Sequence, residues 1–478
     1  MFDQLARNPV LTGLWQVADM EKDGTVLDPD KGADWLQAYA AAGFRCFDMA
    51  DHYGSAEIIA GRMLARHGAG PDRPLAFTKW CPKPGPMTAE VVRAGIDERC
   101  ARLGVERIDL LQFHWWSFEH PEWLNALHEL AALRQSGHIG EIGVTNFDAA
   151  HVALAVADGI PLATNQVSCS LLDRRAIGPL ADVCARTGVR LLTYGTLCGG
   201  FLADRWLGAQ EPREISDWSK MKYKRFIDVT GGWEAFQSIL AAARAIADKH
   251  AVSLSNVATR WVMDQPAVAG VIIGARLGEA EHIADNARLA GLRLDGEDMA
   301  RLSDVFARTA PIPGDCGDEY RKPPFLTASG DLSHHLDALP SPYQTIAHPF
   351  QADAAQVLTG SKWEDIAGYC RAQRIGDRIF VSGTTATADA DRAVAPGSAA
   401  AQTTFILDKI AAALSALGAG MEHVVRTRIY LRNAADVGAV SAEHGRVFGA
   451  IKPANTLFGG ADLIGDYLVE IEAEAMLP

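Results

Sequence analysis

The chain has 478 residues, enough for about three average domains or for one large and one small unit. Apolar residues make up 48% and charged residues 22%, and the net charge of −14 argues against nucleic acid as a partner, because phosphate affinity comes from Lys and Arg. The start carries Asp3 and Arg7, apolar runs stay too short to span a bilayer, and the cysteines form no CxxC pair, so we expect no leader, no membrane span, no zinc ribbon and reduced thiols in the cytoplasm.

Short apolar runs alternate with helical stretches through the first 310 residues. The strand candidates are Val10–Val17, Phe44–Met49, Leu75–Trp80, Ile108–His114, Ile139–Thr145, Ala163–Val167, Val189–Tyr194 and Val268–Ile273. Helix candidates between them include Gly32–Ala42, Ser55–His67, Thr88–Leu103, Pro121–Ser136 and Arg175–Thr187. Nearly continuous apolar strands belong to buried parallel sheets. Strand–helix units repeated over this length predict an α/β fold, a (β/α)8 TIM barrel. No G-x-G-x-x-G string follows the first strand, which excludes the usual dinucleotide fingerprint of an open sheet.

In such a barrel the chemistry sits at the C-terminal strand ends. Those ends carry Asp48 and Tyr53, Lys79, His114, Thr145 and Asn146, Gln166, and Tyr194. Taken singly, Asp48 reads as well as a cap and His114 as a core histidine. Together they make an acid–base set. A lysine ammonium beside a tyrosine favours the phenolate, an aspartate holds the lysine, and a histidine can orient a carbonyl. Trp15, Trp80 and Trp115 are candidates for pocket walls, with packing as the alternative. A long segment after the seventh strand, Phe201–Trp233, with the basic run Lys220–Arg225, is expected to cover the site.

Residues 8–310 resemble the aldo-keto reductases. The matching strings run from Gly13 to Trp15, Phe47 to Gly54, Phe77 to Lys79, Leu110 to His114, Gly143 to Asn146, Asn165–Gln166 and Val271 to Arg276. The resemblance implies a catalytic tetrad of Asp48, Tyr53, Lys79 and His114. It also implies a nicotinamide cofactor, NADP(H) foremost and NAD(H) as the alternative. Thr145, Asn146 and Gln166 would hold the carboxamide, and Tyr194 would stack on the ring. Gly195, Leu197 and Gly199 would line the pyrophosphate, with Gly274, Arg276 and Asn286 at the adenosine end. The spacing from Gly274 to Asn286 is longer than the family's usual one, and His282 stands where a second arginine is common. The implied activity interconverts an aldehyde or ketone with an alcohol. The contrasting reading is a cofactor-sensing regulatory protein that binds nicotinamide without turnover.

After Phe306 the periodicity fades, and residues 311–357 are rich in Pro and Gly, which predicts a draped linker. A second unit is expected over 358–478, of α+β class. Its candidate elements are strands Tyr369–Gln373 and Arg378–Ser382, helix Ala399–Leu417, strand Val424–Leu431, helix Ala434–Phe448, and strands Asn455–Phe458 and Leu468–Ala475. On Val424–Leu431, Val425, Thr427, Ile429 and Leu431 are expected on one face and the arginines on the other. The strings Ile379–Gly383, Pro453–Thr456 and Leu468–Ala473 resemble the RidA (YjgF) family. That resemblance implies a chorismate-mutase-like fold, trimeric assembly and imine hydrolysis in a cleft. Glu470 falls at the family's glutamate position, but Asn455 stands at its arginine position. Asparagine lacks the charge for a bidentate carboxylate contact, so ligand binding or oligomerisation is weighed beside imine hydrolysis.

Overall fold

The computed structural model describes residues 1–22, 24–25, 27–322, 339–388 and 391–478. Pro323, Pro324 and Gly330 of the Pro/Gly-rich stretch lie outside the described residues.

Eight parallel strands close into a barrel in the order β1 to β8. They are β1 Val10–Gly13, β2 Cys46–Asp48, β3 Leu75–Trp80, β4 Ile108–His114, β5 Ile139–Thr145, β6 Leu162–Ser168, β7 Arg190–Tyr194 and β8 Val268–Gly274. Three of them match the sequence reading end for end. The first stops four residues early, because the Leu14 amide donates to the Asp48 carbonyl and Trp15–Lys22 winds into a helix. The lower interior is filled by Leu11, Cys46, Leu75, Phe77, Leu110, Leu192 and Ile272, and the short helix Phe2–Arg7 brings Leu5 against them. This apolar plug leaves only the C-terminal end of the barrel open for chemistry.

Residues 311–322 cross that open end. Tyr320 and Arg321 of this stretch reach the strand ends, so it forms a wall of the site. Two strands also lie within the expected linker: β9 Gln344–Ala347 and β10 Ala354–Leu358. They pair antiparallel with each other, and β10 pairs with strand Ala372–Ile375.

The second unit is a seven-stranded mixed sheet in the order β14-β13-β15-β12-β11-β10-β9. Its other strands are β11 Ala372–Ile375, β12 Arg378–Thr385, β13 Val424–Leu431, β14 Ala454–Gly459 and β15 Val469–Met476. Helices Ala399–Ser415 and Val437–Phe448 belong to the same unit, and Phe405, Ile406, Ile410, Leu414 and Phe448 are buried in its core. Thr427, Ile429 and Leu431 are buried as expected. Val425 is not: the register of β13 on β15 shifts between Val424 and Arg426, and this irregularity turns Val425 outward.

The two units dock through helices Ala149–Ala157 and Ala399–Ser415. Arg392 meets both oxygens of Asp158 at 2.9 Å, and the Ala395 amide donates to the same carboxylate at 2.8 Å. His151 Nε2 lies 3.0 Å from Asp408. No helix among the described residues is long and apolar enough to cross a membrane.

Candidate functional site

A cavity of about 1260 Å³ opens at the C-terminal end of the barrel. Asp48, Tyr53, Lys79 and His114 all line it. Strand alternation explains why these residues face in while their neighbours do not. Lys79 points into the barrel, and Trp80 next to it packs outward near Phe113, 5.8 Å between ring centres. His114 faces in, and Trp115 is fully buried behind it, stacked on Phe113 with its indole N–H on the His120 carbonyl. Trp80 and Trp115 are therefore core residues and not pocket walls. Trp15, the third candidate, lines the cavity, and so does Trp116.

Lys79 Nζ donates to Asp48 Oδ2 at 2.7 Å and to the Met49 carbonyl at 2.9 Å. It stands 5.0 Å from the Tyr53 ring centre. Both charged groups are buried, so the pair is not screened by water. The second Asp48 oxygen accepts from Gln112 at 3.1 Å and Gln166 at 2.7 Å. Gln166 also donates to the Gln112 carbonyl oxygen at 2.8 Å. Gln112, two residues before His114 and on the same strand face, completes the hold on Asp48; its place in the string Leu110–His114 was the signal for it.

His114 is buried, and burial together with the Arg321 charge pushes its pKa down to about 3. It is therefore a neutral imidazole at working pH. Its Nδ1 lies 3.3 Å from the Thr145 carbonyl, which only accepts. At that length either tautomer suits the geometry, and donation to a carbonyl oxygen needs the proton on Nε2.

The residues expected to hold a nicotinamide cofactor also meet along the cavity: Thr145, Asn146, Gln166, Tyr194, Gly195, Leu197, Gly199, Gly274, Arg276 and Asn286 all line it. Several have bonding capacity left over. Thr145 Oγ1 and Thr196 Oγ1 are buried with no hydrogen-bond partner among the described residues. Gln166 spends its N–H groups on Asp48 and Gln112, which leaves its carbonyl oxygen as an acceptor. Asn146 accepts from the Tyr194 hydroxyl at 2.7 Å, which leaves its NH2 as a donor. A carboxamide needs one acceptor and one donor, so the set fits. Gly195 adopts φ +71°, and a side chain there would run into the Tyr223 hydroxyl. That close approach keeps the β7 turn flat beside the cavity.

Sequence reasoning missed the contributions of residues beyond the barrel strands. Arg321 donates to the carbonyls of Asn146 and Trp115 and lies over Phe118 at 4.2 Å. Asn146 has φ +60°, a conformation asparagine tolerates better than most residues. Gly317 packs so closely on the Asn146 carbonyl that any side chain there would collide with it. Tyr320 meets the Tyr194 hydroxyl at 3.1 Å and Lys222 Nζ at 2.8 Å. Lys222 comes from helix Trp218–Val229, inside the segment expected to cover the site. That helix is capped by Asp217, which also pairs with Lys220 at 2.8 Å and with Arg276 at 3.3 Å.

In the second unit the structure does not bring Asn455 and Glu470 together. Asn455 donates to Thr427 Oγ1 at 2.9 Å, on the buried face of β13. Glu470 alternates with the buried Val469 and Ile471, so it lies on the other face, opposite Tyr430. Burial raises the Glu470 pKa, with the neighbouring Glu472 charge adding to it.

Residues 9–306 match the family model described as Aldo/keto reductase family, and residues 359–477 match the one described as Endoribonuclease L-PSP, the RidA family. A flagellar radial spoke protein 5 of Chlamydomonas reinhardtii is 32% identical over 179 residues, 33% of this chain; the chain spans only 34% of that protein. A 6-dehydroglucose reductase of Novosphingobium aromaticivorans is 28% identical over 327 residues, covering 65% of this chain and 94% of that one. Among solved structures, a glycerol dehydrogenase from Gluconobacter oxydans aligns with a TM-score of 0.54 at 25% identity, over 64% of this chain and 94% of its own.

Proposed function

Since the chain belongs to the aldo/keto reductase family and is an oxidoreductase acting between carbonyls and alcohols, we propose that its barrel works with a nicotinamide cofactor, NADP(H) first and NAD(H) second, on a small hydroxylated carbonyl compound. The observation that carries this reading is the buried Asp48–Lys79 pair set against the Tyr53 ring. The cofactor, when bound, supplies or accepts the hydride. Tyr53 gives its proton to the carbonyl oxygen. The Lys79 ammonium stabilises the negative charge left on the phenol, and Asp48, Gln112 and Gln166 keep that ammonium in place. Neutral His114 orients the reacting oxygen, donating from Nε2 to a carbonyl and accepting at Nε2 from an alcohol.

Thr145, Asn146 and Gln166 would fix the carboxamide, and Tyr194 offers a flat ring for stacking. Arg276 supports a phosphorylated cofactor, because a 2′-phosphate can replace Asp217 and Glu279, its present partners at 3.3 Å each. The hydroxylated substrate class is supported by two of the enzymes above, a 6-dehydroglucose reductase and a glycerol dehydrogenase. Titration of tryptophan fluorescence with NADPH and with NADH tests the cofactor, and reduction of a panel of aldehydes tests the reaction.

For the second unit the reading is assembly and ligand binding, not hydrolysis of imino acids. Asn455 at the arginine position and its place on the face opposite Glu470 support this. The uncovered face of the sheet shows Phe380, Phe458 and Met476, which a further copy of the chain would bury, as in a trimer. Light scattering on the intact protein tests that assembly.

A further inference from the structure

Asp51 and His52 stand between the tetrad residues Asp48 and Tyr53 in the chain, yet neither has a part in the mechanism above. His52 lines the cavity. Its ring lies 4.8 Å from the Tyr53 ring, edge to face, and 6.1 Å from Trp15. Its Nδ1 meets Asp51 Oδ1 at 2.9 Å. The other Asp51 oxygen accepts from the Cys81 amide at 2.8 Å, and Arg99 approaches it to 3.8 Å. The carboxylate is thus fixed, its pKa held below the usual range by His52, the Cys81 amide and Arg99 against the effect of burial. A fixed carboxylate holds the imidazole with Nδ1–H toward it. His52 Nε2 makes no hydrogen bond among the described residues and remains available at the cavity wall.

Thr145, Asn146 and Gln166 are assigned to the carboxamide, and three further side chains near the tetrad are already engaged. Lys79 is spent on Asp48 and Met49, the Trp15 indole N–H donates to Ser219 at 3.1 Å, and the Trp116 N–H donates to the Pro82 carbonyl at 3.1 Å. His114 is committed to the reacting oxygen. A metal ion is not the natural occupant, although ligand atoms of Asp51, His52 and Cys81 lie within 4.8 Å of one another. The Arg99 guanidinium already stands 3.8 Å from Asp51, and burial raises the Cys81 thiol far from its thiolate form.

We propose that the Asp51–His52 dyad binds a hydroxyl group on the carbon next to the reacting carbonyl, which makes α-hydroxy aldehydes and ketones, and the matching vicinal diols, the preferred substrates. This rests on the reductase reading of the same cavity and names its substrate class. Asp51 orients the imidazole, and His52 Nε2 accepts the hydroxyl proton while Tyr53 and His114 hold the carbonyl oxygen. An unbranched deoxy substrate leaves that nitrogen without a partner, and discrimination follows from the unmade bond.

The test compares glyceraldehyde with propanal, which has the same carbon chain without hydroxyls, using the full-length protein with NADPH. The wild type is expected to favour glyceraldehyde by about tenfold or more in kcat/KM. His52→Leu is expected to lose that preference, mostly through KM for glyceraldehyde, with propanal changed less than about threefold. His52→Gln keeps a side-chain acceptor and should recover part of it. Tryptophan fluorescence titration with NADPH checks that both variants fold and bind cofactor. Equal losses on both aldehydes, or preference retained in His52→Leu, would overturn the dyad's role. A wild type active on both without preference overturns it too, while leaving the reductase reading intact. A wild type inactive on both overturns the reductase reading and the dyad with it. If His52→Leu does not fold, His52→Gln and Asp51→Asn carry the same comparison.

Discussion

At the residue scale the site depends on a few buried polar groups whose partners are all specified. Lys79 is the clearest case. Replacing it with Met leaves Asp48 charged, buried and facing only two amides. Loss of one member of a buried pair costs about 3 kcal/mol. We expect Lys79→Met to lower the melting temperature and to cut kcat by about 10³-fold, read by calorimetry and by aldehyde reduction. A second expectation concerns His114. With its pKa at about 3, its imidazole stays neutral through pH 5. Nitrogen chemical shifts of the His114 ring should show one neutral form from pH 5 to 8; titration near pH 6.5 would contradict the burial argument. Much at this scale was legible in the sequence, because the side chains that work lie at strand ends and β3 and β4 read unambiguously. For Trp80 and Trp115 the packing alternative holds, for a geometric reason. Trp80 and Trp115 each follow an inward residue by one position, and a one-residue step turns a side chain to the helix layer.

At the level of elements, the surprise is the stretch after the barrel. Residues 311–322 have the composition of a linker, with no periodicity to mark them as part of the site. Their role rests on single long-range contacts that no local pattern encodes: Arg321 to Asn146 and Trp115, and Tyr320 to Tyr194 and Lys222. Arg321 holds the Asn146 backbone at φ +60°, and through it the side chain that would meet the carboxamide. Arg321→Gln is therefore expected to weaken NADPH binding by about tenfold. Fluorescence titration reads this directly, and unchanged affinity would show that Asn146 keeps its conformation unaided. The length and basic run of the covering segment marked it, and helix Trp218–Val229 does bring Lys222 and Ser219 to the cavity.

On the scale of the whole molecule, the docking of the two units hinges on a buried imidazole. Burial alone would lower the His151 pKa, but Asp148 and Asp408 outweigh it and hold it above 6.5. Arg446, from helix Val437–Phe448, and Glu119 add charges around the two carboxylates. A pKa raised in the folded state stabilises most below pH 6.5, and that contribution is lost as pH climbs through the raised value. The docking should therefore be most stable below pH 6.5 and weaken as the pH rises through the raised value. Asp408→Ala should cost about 3 kcal/mol below pH 6.5, and the cost should shrink as the pH rises, followed by calorimetry. None of this was visible in the sequence, since His151 and Asp408 lie 257 positions apart and their meeting depends on how the units pack.

The central claim is that Tyr53 donates the proton in a nicotinamide-dependent carbonyl reduction. The most direct measurement follows NADPH oxidation with glyceraldehyde for the wild type and Tyr53→Phe, alongside NADPH binding to both by fluorescence. We predict that Tyr53→Phe binds NADPH within about threefold of the wild type and loses about 10³-fold or more in kcat. Equal turnover by the two proteins, or a wild type that binds NADPH and reduces no aldehyde, would contradict it.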